Sequence, residues 1–221
     1  MIFKEKQNDL LSSVILGDGC IYKTGGSYSL YIGHGGNQKD YLQWKIDLLN
    51  DSGLFDNTLK MKSKIITLKQ YNKQYLQYFV TKTWVQFKDI YELFENKRNI
   101  VSILKTLKSD RSLAIWFMDD GSVFKKKRKV KNGDIHYDKP TMKLCTHCFT
   151  KEENQEIINW FKRRYLIEPK MVSETKRNKT YYYLRFNAPE SLKIFKIIKP
   201  FVDEIPSMKI KFSFFYEYYK F

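Results

Sequence analysis

The stretch SLAIWFMDDGSVF (112–124) decides how this chain is read. Its apolar residues follow helical spacing and run straight into two adjacent acids, Asp119 and Asp120, and then a glycine. An acid at a helix C-terminus opposes the negative end of the helix dipole, at a cost of a few tenths to ~1 kcal/mol unless a cation compensates. The chain carries this arrangement twice. LSSVILGDGCIY (11–22) aligns with LAIWFMDDGSVF (113–124) at an offset of 102 residues, and Asp18-Gly19 falls on Asp120-Gly121. A single Asp-Gly is an ordinary helix stop. Two in register, each between an apolar helix and a strand, point to a duplicated functional element.

Around both motifs the same element order is legible. A helix over 9–16 is followed by two alternating strands about the Gly25-Gly26 turn. Asn37 is positioned to cap a helix through Leu49, strands cover 58–69 and 75–87, and a helix covers 88–94. The second copy starts with Asp110 as expected N-cap and Gly121 as helix stop. Strands over 122–130 and 141–148 follow, with Asn132-Gly133 in a turn, then a Thr150/Glu153 capping box opening a helix through Tyr165. Strands over 169–175 and 180–187 turn at Arg177-Asn178, and a last helix spans 189–198. The expected fold class is α+β, two diverged copies covering 1–108 and 109–221.

Composition narrows the partners. The 221 residues include 40 Lys plus Arg against 24 Asp plus Glu, a net charge of +16. Residues 1–110 carry 16 basic and 11 acidic side chains (+5) and residues 111–221 carry 24 and 13 (+11), so the excess sits in the second copy. Such a surplus favours a polyanion, nucleic acid before an anionic membrane. No apolar run approaches the ~20 residues of a membrane span, and MIFKEKQNDLL lacks the apolar region of a signal peptide. A soluble intracellular protein is expected, in a bacterial or phage cytoplasm or encoded in an organelle. Three cysteines, Cys20, Cys145 and Cys148, fit a reducing compartment.

If the two apolar helices pack together, their C-termini bring Asp18 and Asp120 close near a pseudo-twofold axis. Two converging carboxylates repel, and a divalent cation relieves both that repulsion and the dipole conflict. Oxygen ligands suit Mg²⁺, which keeps waters and binds phosphates. Metal, phosphate and activated water together indicate phosphodiester hydrolysis.

LSSVILGDG (11–19) and LAIWFMDDG (113–121) resemble the two defining motifs of the LAGLIDADG homing endonucleases in their single-chain, two-motif form. IKPFVDEIPSMKIKF (198–212) resembles the closing segment of one branch, and the likeness extends over most of the chain. The resemblance implies two pseudo-symmetric αββαββα halves, each presenting a saddle-shaped antiparallel sheet to the DNA major groove. It implies that Asp18 and Asp120 are the metal ligands, one per scissile strand, with Mg²⁺ as cofactor and Mn²⁺ as substitute. Their neighbours Gly17 and Asp119 complete the metal-holding stretches, Asp119 in a packing or capping place. Lys211 matches the basic residue that approaches the active site from the second half, and Lys97 or Arg98 would be its first-half counterpart. The implied activity is site-specific double-strand cleavage by a monomer at a long, asymmetric DNA site, leaving short 3′ overhangs.

Candidate DNA contacts follow from charge and strand alternation. KKKRKVK (125–131) places Lys125, Lys127 and Lys129 on one face of a strand and Lys126 and Arg128 on the other. Tyr22, Lys23, Ser29 and Tyr31 lie in the first hairpin, Lys60, Lys62 and Lys64 at spacing two in the second. Lys143 sits on the third, and Lys176, Arg177 and Lys179 at the fourth. The CxxC of Cys145 and Cys148 has no second pair, which argues against zinc. Rival readings are an RNA-binding intron maturase, a DNA-binding protein of the same fold that does not cut, and a lysine-rich peripheral membrane protein. The last is disfavoured by the lack of a basic amphipathic helix with an exposed apolar face.

Overall fold

The computed structural model describes residues 3–67, 73–95, 99–129 and 135–221. The first copy runs α1 (Glu5–Leu16), β1 (Cys20–Thr24), β2 (Ser27–Gly35), α2 (Lys39–Asp51), β3 (Lys62–Thr67), β4 (Lys73–Val80), α3 (Lys88–Phe94) and α4 (Ile100–Thr106). The second runs α5 (Asp110–Asp120), β5 (Gly121–Phe124), β6 (Lys127–Lys129), β7 (Ile135–Tyr137), β8 (Thr141–Leu144), α6 (Lys151–Tyr165), β9 (Lys170–Lys176), β10 (Lys179–Phe186), α7 (Ala188–Val202), α8 (Pro206–Lys211) and α9 (Ser213–Tyr219).

The duplication is visible in the sheets. The strands pair in the orders β1-β2-β4-β3 and β5-β8-β10-β9, all antiparallel, so each copy repeats one hairpin-plus-hairpin topology. Turn chemistry fixes the registers. Gly25 at φ 61° closes the first hairpin, with Thr24 opposite Ser27, and Arg177 and Asn178 at φ 50° and 60° close the last, with Lys176 opposite Lys179.

Several local expectations shift. Helix α1 begins at Glu5, four residues before Asp9, because the Gln7 side chain accepts the Lys4 N–H at 2.9 Å. Asn37 does not cap α2; it lies inside a 3₁₀ turn over Gly36–Gln38 that leads into the helix. Ser109, not Asp110, caps α5, its hydroxyl accepting the Ser112 N–H at 3.2 Å, while Asp110 supplies first-turn negative charge. Helices α4, α8 and α9 were not expected, nor was the separate β6–β7 ribbon, which splits the strand expected over 122–130. The turns expected at Tyr71-Asn72 and Asn132-Gly133 lie outside the described residues.

Helices α1 and α5 pack together within one hydrophobic core. Leu11, Val14, Leu113, Trp116 and Phe117 are fully buried there. A polar clasp ties the second turn of α1 to the start of α5. The Asp9 carboxylate, itself buried, accepts the Lys108 N–H at 2.7 Å, the Ser109 hydroxyl at 2.6 Å and the Ser112 hydroxyl. That places a negative charge at the positive end of α5, where the dipole welcomes it. The two helices also end side by side, where the Asp18 N–H reaches the Asp119 carboxylate.

The sheets cover this core with one face. Along β2, Tyr28, Leu30, Ile32 and His34 are buried, while Ser29, Tyr31 and Gly33 alternate to the other side. In the second copy Met142, Leu144, Leu184 and Phe186 face the core, leaving Thr141, Lys143, Tyr183 and Arg185 on the open side.

Candidate active site at the paired helix ends

The acid that looked least useful in the sequence is the most tightly held. The Asp119 side chain is fully buried and accepts Lys45 Nζ at both oxygens, 2.7 and 2.8 Å away. It also accepts the Tyr41 hydroxyl at 2.8 Å and, across the helix interface, the backbone N–H of Asp18 at 3.1 Å. Both partner side chains come from α2, where Tyr41, Lys45 and Leu49 recur at a spacing of four on the buried face. Lys45 Nζ lies 4.3 Å from the centre of the Tyr41 ring. A buried charge in this position is tolerated because it is paired and hydrogen-bonded.

Gly17 makes the crossing possible. A β-carbon there would overlap the Asp119 carboxylate, so the first motif must be smallest where the second inserts its acid. The copies are therefore complementary rather than identical at this position.

His34 continues the cluster. Its Nε2 is 3.1 Å from Lys45 Nζ, and its Nδ1 is 3.5 Å from Asp18 Oδ2. Burial, and then the Lys45 ammonium, lower its pKa to about 4, so the ring is neutral at pH 7. The Asp18 side chain is 44% exposed and is the solvent-facing member of the group. Lys211 Nζ donates to the carbonyls of Met118 at 2.5 Å and Asp119 at 3.2 Å. It is the cation that the C-terminal end of α5 requires. Burial pushes the Lys211 pKa down, and the negative charges of Asp119, Asp18 and Asp120 work against that shift. Asp120 is half-buried, and its carbonyl accepts the Cys145 N–H at 3.0 Å, which fixes the end of β8 to the motif.

The donor chemistry can be tested residue by residue. Asp18, His34 and Asp119 each bring one donor atom within 4.8 Å of the others, the one such trio among the described residues. Within it, both Asp119 oxygens already accept hydrogen bonds from Lys45, and His34 Nε2 lies 3.1 Å from the same Lys45 Nζ. Asp18 is the member whose carboxylate faces solvent, and oxygen donors of this kind suit a hard divalent cation. Of the two residues grouped with the metal-holding stretch in the sequence, Gly17 packs against the Asp119 carboxylate, and Asp119 is held by Lys45, Tyr41 and the Asp18 N–H.

The remaining candidates divide by face. Tyr22, Ser29, Tyr31, Lys62 and Lys64 share the open side of the first sheet, where Tyr31 stacks on Tyr78 at 5.7 Å and Lys64 Nζ lies 5.0 Å from the Tyr78 ring. Lys23 does not join them: it pairs with buried Tyr28 and lies 5.8 Å from the ring of Tyr91 on the helix side. Lys60 precedes β3 and lines a cleft with Phe55 and Trp84. Lys143 holds the open side of the second sheet, between the rings of Phe124 and Tyr183. Lys176 pairs with Glu174 at 2.9 Å near Arg177 and Lys179.

The basic run behaves differently from the expected strand. Lys125 is drawn to Glu217 at 3.2 Å and sits between the rings of Tyr137 and Phe214 at 4.2 and 4.4 Å, clamping the ribbon onto α9. Lys126 is exposed between β5 and β6, and Lys127 lies 5.9 Å from Tyr137. The backbones of Arg128 and Lys129 belong to β6, opposite His136 and Ile135. Lys97 and Arg98 lie outside the described residues. In the CxxC, Cys148 is exposed and Cys145 Sγ lies 3.3 Å from His147 Nδ1.

Lys45, Tyr41 and His34 are the site residues that sequence reasoning missed. The available signal was a lysine on the apolar stripe of α2 and a histidine at a core-facing place of β2.

Two antiparallel sheets over a pair of helices that end in acids define the architecture of the homing endonucleases. A solved structure described as the homing endonuclease I-WcaI bound to its DNA recognition sequence superposes with a TM-score of 0.73 at 22% identity, over 96% of this chain and 87% of that one. The model of the LAGLIDADG DNA endonuclease family matches residues 10–195, and the chain belongs to that family. Among curated relatives, it is 29% identical to the cytochrome b mRNA maturase bI2 of Saccharomyces cerevisiae over 181 residues, 78% of this chain and 38% of that protein. It is 29% identical to a probable intron-encoded endonuclease 1 of Wickerhamomyces canadensis over 126 residues, 56% of this chain and 49% of that protein. It is 28% identical to the intron-encoded endonuclease ai4 of Dictyostelium discoideum over 171 residues, 75% of this chain and 96% of that protein. The chain thus spans less than half the length of the first two relatives. No helix among the described residues is long and apolar enough to cross a membrane.

Proposed function

We propose that the chain is a site-specific double-strand DNA endonuclease that hydrolyses one phosphodiester in each strand and leaves short 3′ overhangs. The observation that carries this reading is the side-by-side ending of α1 and α5, where the Asp18 N–H donates to the Asp119 carboxylate at 3.1 Å and Lys211 Nζ donates to the Met118 and Asp119 carbonyls. Asp18 and Asp120 would hold Mg²⁺, or Mn²⁺ in its place. When bound, that cation supplies Lewis acidity toward the phosphate and lowers the pKa of a water. The chain's own part is to present these carboxylates, one for each strand, and to hold Lys211 at the end of α5 through the Met118 and Asp119 carbonyls. Residues 1–108 and 109–221 would each serve one strand. The open sheet faces offer Tyr22, Tyr31, Lys62 and Lys64 on one side and Lys143 and Arg185 on the other to a DNA groove. Because the two faces carry different side chains, the fitting target is long and asymmetric and is bound by a monomer.

The test is selection of cleaved duplexes from a random library in Mg²⁺. Linear products are expected with the wild-type protein, and their loss with Asp18→Asn or Asp120→Asn. A purified protein that retains duplex binding but cuts nothing in Mg²⁺ or Mn²⁺ overturns the reading. The likeness to a cytochrome b mRNA maturase supports a second reading, an RNA partner. Specific retention of intron RNA in a filter assay without DNA cutting would favour it.

A further inference from the structure

A cleft opens beside the first sheet, where β3 begins and β4 ends, and none of the motif acids lines it. Its volume is about 370 Å³, within the range of roughly 300–1,000 Å³ that small-ligand sites occupy. Phe55 and Trp84 supply an aromatic surface inside it, their ring centres 5.8 Å apart. Both are half-buried, and Trp84 is wedged edge-on against Phe3 at 5.9 Å and Phe87 at 5.4 Å. The packing therefore fixes the indole without covering it. Lys60, Lys62 and Lys82 line the same cleft and are exposed, and among the described residues none of the three is paired with an acid. Asp56 is the one acid among the described residues that line it, so three ammonium groups against one carboxylate leave a charge of +2.

Aromatic surface framed by cations fits a nucleobase with its flanking phosphates. A paired base cannot use it, because its faces are covered by its neighbours in the stack. An unpaired base can, and stacking on a protein ring tolerates any base because each has a π-face. RNA presents such bases in loops and bulges, and proteins read it there. Thr58 and Thr83 add exposed hydroxyls to the cleft, partners for a ribose 2′-hydroxyl. We propose that this cleft binds an unpaired nucleotide of a single-stranded RNA segment, its base against Phe55 and Trp84 and its phosphates at Lys60, Lys62 and Lys82. Lys62 and Val80 also belong to the open sheet face, opposite Tyr78 and Tyr31, so the cleft adjoins that face. The proposal rests on the RNA reading above and is independent of cleavage.

The probe is a 5′-fluorescein RNA decamer of alternating A and C, which cannot pair with itself, followed by anisotropy over a range of salt. Trp84→Ala is expected to weaken its binding roughly 5–150-fold, the worth of one stacked base. Because Trp84 also packs on Phe3 and Phe87, a second variant leaves the aromatic cluster intact. Lys60→Ala with Lys82→Ala is expected to reduce the slope of log affinity against log salt by about 1.4, at about 0.7 per phosphate contact on a single strand. Lys193→Ala with Lys196→Ala, a charge-matched pair exposed on α7, is expected to leave the slope unchanged. With one C replaced by 4-thiouridine, irradiation is expected to cross-link the decamer within residues 55–62 or 80–84. The deoxy decamer, lacking the 2′-hydroxyl, is expected to bind more weakly. Equal effects of the two lysine pairs, cross-links only elsewhere, or equal affinity for the deoxy strand overturn the assignment. A wild-type protein that does not bind the decamer overturns it too, and the filter assay with intron RNA decides the RNA reading separately.

Discussion

Lys45 of α2 and Asp119 of α5 form a fully buried ion pair that joins the two copies of the motif, with Nζ 2.7 and 2.8 Å from the carboxylate oxygens. Pairs of this kind contribute little net stability when intact, yet removing one partner strands the other charge without water. Lys45→Met is therefore expected to lower the unfolding free energy by about 3–5 kcal/mol. Urea melts at pH 7 measure this directly, and a loss below about 1 kcal/mol would contradict so dry a pair.

Gly17 answers the same pair from the opposite helix. Gly17→Ala forces the Asp119 carboxylate away from the Asp18 N–H that it accepts at 3.1 Å, or drives the helices apart. The expected cost is about 1–3 kcal/mol, as for other overpacked sites. Thermal melts of Gly17→Ala beside Gly26→Ala, where an added β-carbon meets nothing within 4 Å, separate crowding from a general effect of alanine.

Much of this was legible in the sequence, and the reasons differ by element. The 102-residue echo exposed the paired helix ends because Asp-Gly after an apolar helix is a local pattern. Turns such as Gly25-Gly26 and Arg177-Asn178 were readable because left-handed backbone restricts residue choice. Lys45 was hidden, since a lysine on an apolar stripe gains meaning only when its partner, 74 residues away, is known. The basic run after the second motif misled for a related reason. Charge spacing predicts alternation along one strand, but Glu217, far along the chain, draws Lys125 out of that pattern.

A pH effect is expected at the end of α7. Asp203 is opposed by its own desolvation, but hydrogen bonds from Lys199 at 2.6 Å and the Tyr216 hydroxyl at 2.6 Å outweigh that and lower its pKa below 3.8. A carboxylate with a depressed folded pKa contributes stability above its unfolded pKa and loses it as pH falls through the folded value. Asp203→Asn should thus be less stable than wild type at pH 7, and the difference should shrink as pH drops below 3.8. Denaturant titrations at pH 7 and pH 3 check the trend, and a gap that widens in acid would reverse the sign.

DNA binding offers a contrast between two lysines that look alike in the sequence. Lys143 holds its ammonium on the open sheet face beside Phe124 and Tyr183, whereas the Lys125 ammonium is committed to Glu217 and to the rings of Tyr137 and Phe214. Each phosphate contact releases condensed counterions, so the logarithm of affinity falls with the logarithm of salt by a slope of about 0.9 per contact. Lys143→Ala is expected to reduce that slope by about one, with weaker binding across all sequences. Lys125→Ala removes a cation whose charge Glu217 already offsets, and should leave the slope nearly unchanged while loosening the ribbon from α9. Fluorescence anisotropy with a labelled duplex between 50 and 300 mM salt gives both slopes. Were Lys125→Ala the variant that flattens the salt dependence, the ribbon would have to leave α9 on binding, and its clamp would be a feature of the free protein alone.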